Sequence, residues 1–264
     1  MSLANKSHPH HHTETTMKFL RNTLKQLQYT NRNRTRATAR KRFENRLHVE
    51  RLEVRALLAG LVSHWTADNT AADTVGANHG TLVSGAAYAA GQSAQSFSFD
   101  GIDDRVLIQD SESFKLTQSL TIEGWVMVQS FGTRRGEILF RGDDRGGNDP
   151  YQLCTAPDGK IIFSIDSLQT RVNLEVVNVP LGRFIHVAAT LDNATGMMRV
   201  YLDGNLAAES FTSVRPFGDL DPASKPGVGI GNHGGFGSIH NFPFHGLIDE
   251  LKLYDVALTG DEVS

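Results

Sequence analysis

The chain has 264 residues, 39% apolar and 21% charged, with 25 glycines against 8 prolines. That is the make-up of a globular protein rich in turns, at a length one large β-sandwich can fill alone. No stretch reaches the roughly 18 uncharged apolar residues of a membrane helix, and a single cysteine, Cys154, excludes an internal disulfide framework and a cysteine-built metal cluster. The net charge of −3 conceals a division: residues 1–60 carry 13 Lys+Arg against 4 Asp+Glu, or +9, and residues 61–264 carry 13 against 25, or −12.

Residues 1–59 read as a basic N-terminal arm, largely disordered or partly helical. The first sixteen residues, with Pro9-His10-His11-His12, are polar and aperiodic, and Met17 is a second candidate start. Arg32, Arg34, Arg36, Arg40, Lys41 and Arg42 fall within eleven positions. Such charge suits nucleic acid, but no aromatic residues interleave with it and no base-reading scaffold accompanies it, so no nucleic-acid partner is expected. Phe43, Leu47, Val54, Leu57 and Leu58 supply only part of the apolar face of a membrane-surface helix. A long basic region followed by the short apolar patch 56–62, interrupted at Gly60, fits an export segment, and that is the preferred reading. The string RLEVRALLAG at 51–60 resembles the Leu-Glu-x-Arg-x-Leu-Leu-Ala segment that precedes many large bacterial extracellular proteins. The resemblance implies secretion or display at the cell surface.

From Leu61 the apolar period becomes two. Alternating or apolar runs lie at 61–66, 96–99, 105–108, 120–128, 137–141, 151–155, 160–166, 171–177, 184–191, 197–202, 228–231 and 246–254. Turn signals separate them, among them Ala156-Pro157-Asp158-Gly159, Asp192-Asn193-Ala194-Thr195-Gly196 and Asp203-Gly204, the last a hairpin signal. No amphipathic helix interrupts the series. The pattern predicts an all-β fold over 60–264, a two-sheet antiparallel β-sandwich or jelly roll. Trp125 is expected in the core, and His186, between Ile185 and Val187, as a structural histidine.

Five collinear strings resemble the concanavalin A-like, laminin G-type domains: FDGIDDRVLI at 99–108, LTIEGWVMV at 120–128, VPLGRFIHVAATLD at 179–192, MRVYLDGNLAA at 198–208 and FHGLIDELKLYDVALTGDEV at 244–263. Phe184 stands where the family usually has Trp. The loop 73–81 resembles the family's opening Asp-x-x-Gly…Gly loop. The resemblance implies a concanavalin A-like jelly roll whose first and last strands lie side by side. It further implies one structural calcium ion, an ion that takes six to eight oxygen ligands. Candidate ligands are Asp68, Asp73 and Asn78, with neighbouring Asn69, in the opening loop, and Asp249 on the closing strand.

Some relatives on this fold are glycoside hydrolases, which set two carboxylates roughly 5–9.5 Å apart across the scissile bond. The laminarinase-type string Glu-x-Asp-x-x-Glu is absent. Asp249 and Glu250 are adjacent, which in a regular strand sends them to opposite faces, and Glu123 stands alone in its strand. No nucleophile elbow or phosphate-cradling loop occurs, and His233, His240 and His245 have no zinc-like spacing. Binding remains. Two loops have the composition of recognition segments: Gly142–Asp149, with Asp143, Asp144 and Asp149 as candidate ligand contacts, and Asn232–Phe244, with Asn232, His233, Asn241 and Phe242. The alternative for either is a variable loop without a ligand. The sequence thus points to a secreted or surface-displayed, non-catalytic module that binds carbohydrate or an extracellular protein, with a polysaccharide-cleaving hydrolase as the rival. Oligomeric state is left open.

Overall fold

The computed structural model describes residues 60–146, 149–235 and 237–263. The expectations for residues 1–59, including the export segment and the disordered or helical arm, lie outside them. Ala59–Ser264 forms one compact unit, and its described residues hold fifteen strands. These are β1 Leu61–Trp65, β2 Gly80–Val83, β3 Ala87–Ala90, β4 Gln95–Asp100, β5 Arg105–Ile108, β6 Leu120–Val128, β7 Gly136–Gly142 and β8 Tyr151–Thr155. They continue as β9 Ile161–Asp166, β10 Arg171–Val176, β11 Ile185–Leu191, β12 Met197–Leu202, β13 Asn205–Phe211, β14 Gly227–Ile230 and β15 His245–Tyr254. One sheet runs β13-β12-β11-β6-β15-β4-β3, with β1 also on β15; the other runs β10-β9-β8-β7-β14-β5-β2. All strand pairs are antiparallel. The expected sandwich is thus present, and its first and last strands pair, Leu61 opposite Tyr254.

The core between the sheets follows the two-residue period. On β6, Leu120, Ile122, Val126 and Val128 point inward, and the facing sheet contributes Leu139, Tyr151, Leu153, Ile161, Phe163 and Ile230. Trp125 therefore does not join the core as expected. It shares parity with Thr121 and Glu123, lies half-buried on the outer face, and meets the His186 ring edge-on at 5.2 Å. His186 is structural as expected, burial holding its imidazole below the usual range against the pull of Glu123. The core tryptophan is Trp65, fully buried, its Nε1 donating to the Asn78 carbonyl at 2.9 Å.

β15 breaks the period once. Ile248 points inward, yet so do Leu251 and Leu253, because a bulge between Asp249 and Lys252 inserts one extra residue opposite β6. Glu250 takes a left-handed φ of 51° there. Adjacency consequently does not send Asp249 and Glu250 to opposite faces, as a regular strand would. Glu250 meets His64 Nε2 at 2.6 Å. Asp249 sits in the gap between β4 and β1, which pair with successive halves of β15, and accepts the Ser93 amide.

Candidate functional site

A cleft of about 440 Å³ opens on the seven-stranded sheet, on the face turned away from the core. Its floor is Glu137 and Phe140 of β7 and Gln152 of β8, residues whose inward-facing neighbours Leu139, Tyr151 and Leu153 belong to the core. One wall is the segment after β7, with Asp143, Asp144, Arg145 and Asp149; the other is the segment between β14 and β15, with His233, His240 and Phe242. Arg134 and Arg135, just before β7, and Arg171 of β10 complete it.

The β14–β15 segment can lie across the sheet because of its glycines. A Cβ at Gly229 would overlap the Asn232 carbonyl, and one at Gly227 the Gly234 carbonyl. The string Gly-Val-Gly-Ile-Gly-Asn-His-Gly-Gly is thus a packing requirement as well as a source of turns. Asn232, wholly buried, then staples the segment: its Oδ1 accepts the His233 and Phe242 amides at 2.8 and 2.7 Å, and its Nδ2 donates to Asn241 Oδ1 at 2.7 Å. Asn241 Nδ2 donates onward to the Ile102 carbonyl. The result is an aromatic wall. Phe140 lies 4.3 Å from His233, His233 5.3 Å from His240, and His240 6.2 Å from Phe242. The Arg134 guanidinium sits 5.9 Å from the Phe242 ring centroid.

The opposite wall is held by charge. Buried Asp143 accepts from Arg145 at 2.6 Å and from the Asp221 amide at 3.0 Å. Asp144 accepts from Ser238 Oγ at 2.5 Å and lies 3.3 Å from Lys225 and 3.8 Å from His233. Burial pushes its carboxyl up, but these donors outweigh burial and hold it below the usual range. Asp149 pairs with Arg171 at 2.8 Å, yet burial dominates and lifts it to about 6. Burial, reinforced by the charge of Asp149, pushes Glu137 up to about 8 against the pull of Arg135 and Arg171. With its amide turned to suit both neighbours, Gln152 donates to Glu137 at 3.2 Å and accepts from Arg135 at 2.8 Å. Burial drives His233 down to about 4, so its imidazole is neutral at pH 7.

Of the candidate ligand contacts, Asp143, Asp144, Asp149, His233 and Phe242 come together here. Asn232 and Asn241 do not line the cleft; their amides build the segment that does. Glu137, Phe140, Gln152, Arg134, Arg135 and Arg171 lie outside the two segments read from the sequence, whereas His240 and Arg145 lie within them. Strict alternation would set Glu137 and Phe140 on opposite faces; a bulge between Glu137 and Leu139 brings them to one face with Gln152, and no local sequence signal marks it.

The candidate calcium ligands divide. Asp73 caps its own loop, its Oδ1 accepting the His64 and Val75 amides at 3.0 Å and its Oδ2 the Asn78 amide at 3.2 Å. Burial pushes Asp73 up, but these backbone amides prevail and hold it below the usual range. Asn78 is engaged by Ser63, Ser111 and Ser113. Asp68 and Asp249 instead converge on the β3–β4 turn, through the Gln95 and Ser93 amides at 3.1 and 2.8 Å. Asp249 Oδ1, buried, has no donor. Asp73 and Asn78 are thus spent on the loop itself, and of these candidates Asp249 alone keeps a buried oxygen without a donor. Among the described residues no three His, Cys, Asp or Glu side chains cluster as metal ligands, and no helix is long and apolar enough to cross a membrane.

The two sheets define a jelly-roll β-sandwich. The chain belongs to the concanavalin A-like lectin/glucanases superfamily, whose laminin G-type family profile matches residues 100–264. Among curated proteins nothing matches. Domain 4 of AbnA, a GH43 extracellular arabinanase from Geobacillus stearothermophilus solved with arabinotriose, is similar at TM-score 0.59 and 22% identity. The likeness covers 78% of this chain and 97% of that one. The binding domain of botulinum neurotoxin DC is similar in complex with rat synaptotagmin II (TM-score 0.58, 12% identity) and with SialylT (0.58, 13%). These likenesses cover 77% and 78% of this chain and half of the toxin domain. At such identities the likeness is one of fold.

Proposed function

We propose that the chain is a secreted or surface-displayed, non-catalytic module that binds saccharide in the cleft over the seven-stranded sheet. The observation that carries this is the wall of Phe140, His233, His240 and Phe242 facing a hydrogen-bonding wall of Asp143, Asp144 and Asp149 across one opening. Apolar ring faces meet the C–H faces of sugars, and fixed carboxylates and guanidinium groups meet their hydroxyls. Support also comes from domain 4 of AbnA, solved with arabinotriose, and from the toxin binding domain, solved with SialylT. The toxin domain's complex with synaptotagmin leaves an extracellular protein as the alternative partner. We also infer one structural calcium at Asp249 and Asp68.

A hydrolase has one observation in its favour. Glu137 and Asp149 share the cleft with pKa values pushed apart to about 8 and 6, as in acid/base pairs. Against it, Glu137 is 2% exposed beneath Gln152 and Asp149 is bound to Arg171. Incubation with a panel of polysaccharides, reading binding and new reducing ends together, separates the two. Binding without new reducing ends is expected; turnover lost in Glu137→Gln would establish the hydrolase.

A further inference from the structure

Resting on the saccharide reading, we propose that the cleft selects an acidic oligosaccharide, whose carboxylate or sulfate is received by Arg134 and Arg135 at the mouth beside the Phe242–His240 wall.

Positive charge is left over at the cleft mouth. Four arginines line the cleft, Arg134, Arg135, Arg145 and Arg171, in a body where 13 cationic side chains face 25 acidic ones over residues 61–264. Two of the four are neutralised locally, Arg145 by Asp143 at 2.6 Å and Arg171 by Asp149 at 2.8 Å. The third acid, Asp144, is engaged by Ser238 and Lys225. The fourth, Glu137, is kept protonated at neutral pH by its burial. Arg134 and Arg135 form no ion pair with a described residue. Arg134 is exposed and rests by its guanidinium over Phe242; Arg135 is half-buried, donates to the Gln152 amide oxygen and acts on the Glu137 carboxyl without an ion pair.

A neutral sugar would leave these two guanidinium groups with water. A carboxylate or sulfate ester matches their planar fork and makes charge-assisted hydrogen bonds that hydroxyls cannot equal. The net charge of −12 over residues 61–264 works against polyanion binding in general, so an acidic glycan would depend on a local pair such as Arg134 and Arg135.

The test is calorimetric titration of the full chain with trigalacturonate, its methyl ester and a heparin tetrasaccharide. Variants are Arg134→Gln, Arg134→Gln/Arg135→Gln, and Arg199→Gln on the other sheet. The basic arm is present throughout, so differences between variants report the cleft. At least one acidic ligand is expected to bind about tenfold more weakly to each cleft variant and unchanged to Arg199→Gln. Trigalacturonate should lose its binding on esterification. Binding of heparin alone, with the same variant pattern, supports the proposal and names sulfate as the group. Arg134→Gln is at an exposed position and keeps the test readable should the double variant fail to fold. Ester bound as tightly as acid, indifference to Arg134→Gln, or equal loss in Arg199→Gln overturns acidic selectivity while leaving the saccharide reading in place. Failure of every sugar, neutral ones included, removes that reading and this proposal with it.

Discussion

Oδ2 of Asp249 accepts the Ser93 amide at 2.8 Å, while its Oδ1, buried beside it, meets no donor. Burial pushes this carboxyl above the usual range. On the calcium proposal, a cation shared with Asp68 would complete a carboxylate so placed, in the bulge where β4 gives way to β1 along β15. An ion that binds only the native state raises its stability with concentration, by about 2.7 kcal/mol at a hundred times Kd. The metal-stripped protein should therefore melt higher when calcium replaces EDTA, and Asp249→Asn should lose the gain. An unchanged midpoint ends the calcium reading.

Glu137 makes stability depend on pH. Its carboxyl, ordinarily at 4.5, is raised by burial to about 8 in the folded state. Between those values the native state holds a proton the unfolded chain has released, so stability falls as pH rises. The contribution is complete below about 4.5 and lost as pH passes about 8. Asp149, lifted to about 6, adds a smaller loss in the same direction. Denaturant unfolding from pH 5 to 9 should show Glu137→Gln gaining on the natural protein, by a few kcal/mol at the alkaline end. Parallel curves for the two proteins would show that the carboxyl is not raised.

His233 works in the opposite sense. Burial holds its folded pKa near 4, so its contribution is present above the unfolded value of 6.5 and lost as pH falls toward 4. His233→Phe, which keeps an aromatic ring beside Phe140, should flatten the acid limb of the stability profile between pH 6.5 and 4. An acid limb with the same slope in both proteins would contradict this.

Gly229→Ala probes the segment that forms the aromatic wall. The new Cβ would collide with the backbone of Asn232 and Gly234, which no side-chain movement relieves. Overpacking of this kind costs about 1–3 kcal/mol, and at this domain size each kcal/mol lowers Tm by about 2–4 °C. The wall should be displaced too, so glycan affinity should fall together with Tm. Gly260→Ala, whose Cβ would meet only the Tyr201 ring at 3.4 Å and whose φ is not left-handed, is the comparison for added bulk alone.

Much of the sandwich was legible because alternation and turn chemistry coincide. Asp203-Gly204 joins β12 to β13 with φ of 48° and 74°, the pair of left-handed residues a tight hairpin needs. The strands β2 and β3 carry little signal because each has only four residues and lies at a sheet edge, and Ala87-Tyr88-Ala89-Ala90 has no β-branched residue. Trp125 is apolar enough to suggest the core, but its parity against Ile122 and Val126 sets it on the outer face. The bulge at Asp249–Glu250 has no local sequence signal. In the cleft, the two walls were visible as loops rich in Gly, Asp and His, but the floor was not, since Glu137 and Gln152 meet only after β7 and β8 pair.

The central claim is that saccharide binds at the cleft and not elsewhere on the sandwich. The most direct measurement compares the affinity of one bound oligosaccharide for Phe242→Ala and for Trp125→Ala, the latter removing the half-buried aromatic of the opposite sheet. Phe242→Ala should weaken binding by about tenfold or more, with Trp125→Ala unchanged. Loss in Trp125→Ala with Phe242→Ala unaffected would place the site on the other face and contradict the account.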